Sequence, residues 1–242
     1  QVLVSPDGTR VYVAASDSDA LIVYDRDRVT GDLTFIESLV NSGMDSFSNT
    51  ISGLDGASNV IVSADGRYVY VASELDRTIA FFVKHEGDNQ LTFISSTVFD
   101  NAGNPVNVDL PSDMAFIPDG SVLMVSSETG NRVDFFEVGG SGDLVFQGSL
   151  VDGGRDSGMT TIDGLAGASS VAVSPDGRFI VAKKHFTTGR SLGTGEIWMY
   201  HVSGGGGVQL VKRASEALQR ELGEPIFAPD GKSIYYTRNT TP

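Results

Sequence analysis

The chain has no cysteine, one tryptophan, three histidines, and 17 Lys and Arg against 31 Asp and Glu. Each shortage closes a class of function. Without cysteine there is no disulfide framework, no thiolate metal site and no thiol nucleophile. No stretch approaches the ~18 consecutive apolar residues of a membrane-spanning helix. The formal net charge is −14. Such a surface repels phosphate backbones and anionic lipid, which argues against nucleic acid as a partner and against membrane insertion. His85, His185 and His201 are isolated in sequence, so no zinc centre is expected. There is no Gly-x-Ser-x-Gly elbow, and the run from Gly204 to Gly207 precedes a strand rather than a helix, so it is no phosphate loop.

What is present is a repeat. A hydrophobic fraction of 40% and a charged fraction of 20% over 242 residues suffice for a packed core. An apolar run, a Pro-Asp-Gly-like turn and an alternating apolar run recur with marker aspartates Asp7, Asp65, Asp119, Asp176 and Asp230, spaced 58, 54, 57 and 54 apart. Asp can bond its own backbone two residues on, and Gly accepts positive φ, so the marker reads as a hairpin turn rather than a ligand. Two further β-like runs follow each of the first four markers, as in Thr78–Val83 and Leu91–Ile94.

Four-stranded units at a fixed period predict β-propeller blades, each burying its faces against its neighbours. The expected fold class is all-β: blades at 1–57, 58–112, 113–168 and 169–223, and a partial fifth at 224–242. A short helix is expected from Ser215 to Leu222. Residues 38–60 and 149–171 align without gaps, with 14 identities in 23 positions, which indicates duplication of a two-blade unit.

The pattern Gly-x-x-x-Val-x-Val-Ser-Pro-Asp-Gly-Arg-x-Val-Tyr-Val-Ala, with a Gly-x-Leu-Thr-Phe fourth strand, resembles the seven-bladed lactonase-like propellers and their YVTN-type relatives. Residues 53–94 carry it best. The resemblance implies a propeller fold and, for enzymes of the family, opening or formation of sugar-acid or muconate lactones. Those enzymes carry a Glu-Leu pair at the end of a second strand, which Glu74-Leu75 matches. They also carry a Gly-Pro-Arg-His segment, in whose place this chain has Gly56-Ala57-Ser58-Asn59, Leu110-Pro111-Ser112-Asp113 and Gly167-Ala168-Ser169-Ser170. Seven blades at this period would need about 390 residues. The expectation is therefore an incomplete ring, truncated from a longer polypeptide or completed by further blades from another chain.

Long connections on a rigid scaffold are where binding resides. In a propeller they gather on the crossover face, here 41–58, 100–112, 152–169 and a loop from Lys183 to Glu196. The candidate ligand-binding residues there are Lys183, Lys184, His185 and Arg190, a basic cluster in an acidic chain, together with Arg155. The loop aspartates, with Asp45, Asp156 and Asp163 foremost, are oxygen donors that could take Ca2+, though none has the spacing of a preorganised calcium loop; no other cofactor is expected. Glu74 is the candidate catalytic residue. The absent Arg-His segment favours a non-catalytic extracellular, periplasmic or cell-surface module that binds a protein or glycan. The alternative is a lactonase-like hydrolase using Glu74 and a cation from the 183–190 loop.

Overall fold

The computed structural model describes residues 1–85, 87, 90–186, 194–212 and 222–238. The first blade comprises β1 (Val2–Val4), β2 (Arg10–Ala15), β3 (Ala20–Arg26) and β4 (Leu33–Val40). The second comprises β5 (Ala57–Val62), β6 (Tyr68–Ser73), β7 (Thr78–Lys84) and β8 (Leu91–Ser95). Two short strands, β9 (Val98–Asp100) and β10 (Pro105–Val106), precede the third blade of β11 (Pro111–Phe116), β12 (Val122–Ser127), β13 (Arg132–Val138) and β14 (Leu144–Val151). The fourth holds β15 (Ala168–Val173), β16 (Phe179–Phe186), β17 (Thr194–His201) and β18 (Gly204–Val211), and the fifth β19 (Ile226–Phe227) and β20 (Ile234–Tyr235). Within each blade every strand pairs with the next in sequence. The chain is thus an all-β propeller chain of four four-stranded blades and a two-stranded fifth. Among the described residues the only helical segment is one 3-10 turn, Ser16–Ser18. The helix expected from Ser215 lies outside the described residues, except for Leu222, which bridges Arg238.

The marker turns show why the repeat is legible. In the first blade the Ser5 hydroxyl donates to Asp7 at 2.5 Å and accepts the Arg10 N–H at 2.9 Å, while Asp7 accepts the Thr9 N–H. Ser63, Asp65 and Tyr68 repeat this arrangement, as do Ser174, Asp176 and Phe179. Gly8, Gly66, Gly120, Gly177 and Gly231 all have φ between 68° and 76°, a region that costs an L residue about 1–2 kcal/mol. These aspartates are turn residues.

The residues divide into two compact units, Gln1–Pro111 with Val138–Phe146, and Ser112–Glu137 with Gln147–Pro242. In the first, β2 packs against β5 around a core that includes Tyr12, Leu21, Leu54, Val71 and Phe82. Burying a side chain such as Phe82 contributes about 1.5–3 kcal/mol. Every residue of β6 is buried: its far face is covered by the turn 138–146, where Tyr68 and Tyr70 donate to the carbonyls of Gly140 and Gly142. In the second unit β12 packs on β15 and β15 on β19, with Leu165, Ile180 and Tyr200 in the core.

Two features depart from the sequence reading. The connection 100–112 is not all loop. Asp100 accepts the N–H groups of Ala102 and Asn104, closing a tight turn between β9 and β10, and β9 pairs in parallel with the start of β14 (Val145↔Phe99, Phe146↔Asp100). That pairing covers the open edge an outer strand presents. Second, Lys183, Lys184 and His185 belong to no loop. They continue β16, opposite Ile197, Glu196 and Gly195 of β17. The hairpin is longer than expected because β16 stays in register with β17 from Phe179 to Phe186.

Candidate functional site

The duplicated connections are two copies of one folded loop. In the first, Ser42 N–H donates to Ile51 O, Ile51 N–H to Gly43 O and Ala57 N–H to Leu54 O; in the second, Gly153, Ile162 and Ala168 do the same with Ile162, Gly154 and Leu165. Ile51 and Leu54, like Ile162 and Leu165, are buried beneath their loops. The matched residues are therefore mostly scaffold, and side chains that differ between the copies carry what is particular to each.

In the first unit the loop is laced to the turn between β6 and β7, which carries Glu74. Glu74 N–H donates to Gly56 O, Asp76 N–H to Asp55 O, and Asp55 N–H to the Asp76 carboxylate at 2.9 Å. Gly56, at φ +71°, sits so close to Leu75 that a Cβ would lie 2.8 Å from its Cγ. The Glu74 side chain is exposed. The Asp55 carboxyl is pushed above its ordinary range by burial, then by the charges of Asp19 and Asp76. Asp19 in turn accepts the Gly56 N–H at 2.9 Å. This acidic turn was not visible as a unit in the sequence, because Asp19, Asp55 and Asp76 come from three separate connections.

The residue before the third strand is left-handed in three blades: Asp19 (φ 49°), Arg77 (φ 53°) and Asn131 (φ 52°). Their carbonyls accept the N–H groups of Asn41, Val108 and Asp152, so the turn is built alike each time. Asp19 and Asn131 also cap a following loop glycine, Gly56 and Gly167. Arg77 does not. Asp and Asn tolerate this region, whereas a long side chain there is uncommon. Arg77 borders a cleft of about 250 Å3 within the first unit and faces Asp109 at 3.7 Å.

The other sequence candidates sit apart. Asp45 is buried and accepts the N–H groups of Phe47, Asn49 and Phe93, a turn cap that ties the first loop to β8. Asp156 caps Thr160, and Asp163 accepts the Gly164 N–H while its carbonyl receives the Tyr200 hydroxyl at 2.6 Å. Arg155 is exposed at the bridge to Thr161 in the second loop, whereas Lys183 and Lys184 are half-buried in β16. Arg190 lies outside the described residues. Among the described residues no three His, Asp or Glu side chains are grouped to hold a metal ion. His85 is exposed and stacks on Phe47 with centroids 4.3 Å apart; His201 bonds Ser203.

Of the positions where the resemblance would place Arg-His, Asp113 forms a latch to the next blade, and Gln1 makes the like bond in the first unit. In the first unit Gln1 Oε1 accepts the Val60 N–H, next to Asn59 at the head of β5. In the second, Asp113 Oδ2 accepts the Val171 N–H from the head of β15.

Residues 42–157, a span that includes Glu74, Asp55 and Arg77, match the model of the family described as Lactonase, 7-bladed beta-propeller. Over that span the chain is lactonase-like, as its repeat implied. No protein of curated function matches it in sequence. Among solved structures it is similar to Kuenenia stuttgartiensis hydrazine synthase (18% identity, TM-score 0.65, 98% of this chain and 54% of that one). It is also similar to the Pseudomonas aeruginosa periplasmic gluconolactonase PpgL (21%, 0.56, 98% and 56%). A third is a protein from Lactobacillus plantarum (17%, 0.59, 98% and 57%). The chain spans little more than half the length of each, and at these identities the likeness is one of fold. Among the described residues no helix is long and apolar enough to cross a membrane.

Proposed function

We propose that this chain carries part of a lactonase-like hydrolase that opens the lactone of a sugar acid, and that Glu74 is its general base. The observation supporting this most directly is the match of residues 42–157 to the lactonase family. It favours the hydrolase over the non-catalytic binding module that the missing Arg-His segment suggested. Lactone hydrolysis needs a base to take a proton from water as it attacks the carbonyl carbon, and an acid to protonate the departing ring oxygen. Glu74 is an exposed carboxylate on the family's Glu-Leu pair, and the Asp55 carboxyl on the adjoining loop is shifted upward by burial and by the charges of Asp19 and Asp76. In this proposal Asp55, rather than an Arg-His segment, protonates the departing ring oxygen. We also place the protein outside the cytoplasm, a reading supported by the periplasmic gluconolactonase among its structural neighbours.

The test is proton release from glucono-1,5-lactone above the uncatalysed rate. Glu74→Gln is expected to lower kcat/KM by about a hundredfold or more. A wild-type rate no faster than the uncatalysed one, or a fully active Glu74→Gln, removes the reading.

A further inference from the structure

The two loop copies differ in what packs against one shared glycine. Gly53 and Gly164 hold the same place, with φ +81° and +89°. The groups nearest a Cβ at Gly164 are atoms of the Trp198 indole; at Gly53 they are atoms of Ser96 and Thr78. Over Gly53 the cleft of about 250 Å3 opens among Ser52, Asp76, Arg77, Ser96, Thr97 and Asn107, with β10 forming one wall.

Its chemistry selects a ligand class. The Arg77 side chain is 58% exposed, and its ion pair with Asp109 is 3.7 Å long, beyond hydrogen-bond length, so its fork of donors remains available. The Ser52 and Ser96 hydroxyls are 2.9 Å apart and each can donate or accept. Asp76 supplies acceptors and Asn107 both kinds of group. The Arg77 guanidinium pairs with Asp109, and the Asp76 carboxylate lines the same cleft, in a chain of net charge −14. An anion entering there meets net repulsion. A neutral polyol, which needs donors and acceptors side by side, does not. The volume is below the ~300–1,000 Å3 of drug-sized sites, room for a single sugar ring.

We infer that this cleft binds one ring of a neutral saccharide, with Arg77 and Asp76 holding neighbouring hydroxyls. The site adjoins the acidic turn through Asp76, but Glu74 does not line the cleft, so sugar binding and lactone hydrolysis are tested separately. It also explains why a strained turn position keeps an arginine where two sister blades have Asp and Asn.

The isotope-labelled intact chain is titrated with the methyl glycosides of glucose, galactose, mannose and N-acetylglucosamine. Gluconate and inorganic phosphate serve as anionic probes, and amide shifts are the readout. At least one glycoside is expected to shift the amides of residues 52–53, 76–78 and 96–97, with a dissociation constant on the order of millimolar. Arg77→Asn, which keeps the left-handed turn as Asn131 does, should weaken that binding about tenfold or more without lowering the thermal midpoint. Glu74→Gln should leave sugar binding intact even where it abolishes lactone hydrolysis, so the two readings fail separately. The inference is overturned if no glycoside shifts these amides, if an anion binds there more tightly than every glycoside, or if Arg77→Asn binds unchanged.

Discussion

Single carboxyls in this chain report their surroundings in opposite directions. The Ser5 hydroxyl, joined by Thr9, holds the Asp7 carboxyl down at about 2. Ser121 and Ser174 lower Asp119 and Asp176 in the same way. In Asp65 the Ser63 hydroxyl and Arg67 N–H outweigh the burial that opposes them. A carboxyl lowered in the folded state contributes stability that is present above its unfolded value of about 3.9 and lost as pH falls through the folded one. Asp55 is raised, so it does the reverse and costs stability as pH rises through its folded value. The thermal midpoint is therefore expected to fall between about pH 4 and pH 2, and Asp7→Asn should flatten that fall. Asp55→Asn should raise the midpoint at neutral pH and leave it unchanged in acid. Thermal melts across that range check both, and an Asp55→Asn that destabilises at neutral pH contradicts the like-charge account. The turn role of these aspartates was legible in the sequence because an Asx turn closes within a few residues. The repulsion at Asp55 was not, since its partners lie 36 and 21 residues away.

Within elements, glycines at similar φ separate the cost of conformation from the cost of packing. Gly103 (φ +79°) would place a Cβ in open space, whereas in Gly53 it meets Ser96 and Thr78, and in Gly164 the Trp198 ring. Gly103→Ala is expected to cost about 1–2 kcal/mol from the left-handed backbone alone. Gly53→Ala and Gly164→Ala should each cost about 1–3 kcal/mol more, because a neighbour must move. Urea denaturation of the three variants decides the point, and equal costs would mean the loops pack more loosely than described. Strands of six or eight alternating residues were readable in advance. The pairing of β9 with β14 was not, because three residues carry no period and the partner lies some 46 residues on. The basic run at Lys183 read as a loop for the converse reason: its charges suggested solvent, while its backbone extends a hairpin.

For the molecule as a whole the dominant fact is charge. At −14 the folded chain repels itself, and of the ion pairs Arg10–Asp25, Arg77–Asp109, Arg132–Asp134 and Arg178–Asp176 just two are within 3 Å. Raising salt from about 0.01 M to about 0.15 M shortens the screening length from about 30 Å to about 8 Å. The thermal midpoint is expected to rise over that interval, and a midpoint that falls would show that close attractions outweigh the net charge.

By itself the sequence determined the blades, their order, the turn that begins each one and the lactonase-like character of the repeat. Those features depend on contacts within a few residues and on strict periodicity, which a linear reading can count. Only the tertiary structure decided that Asp113, at one of the Arg-His positions, latches its blade to the next, that the loop aspartates cap backbone N–H groups, and that Arg77 borders a cleft beside a glycine whose counterpart in the sister loop packs on Trp198. Each of these depends on which distant segments meet, and packing rather than local pattern settles that.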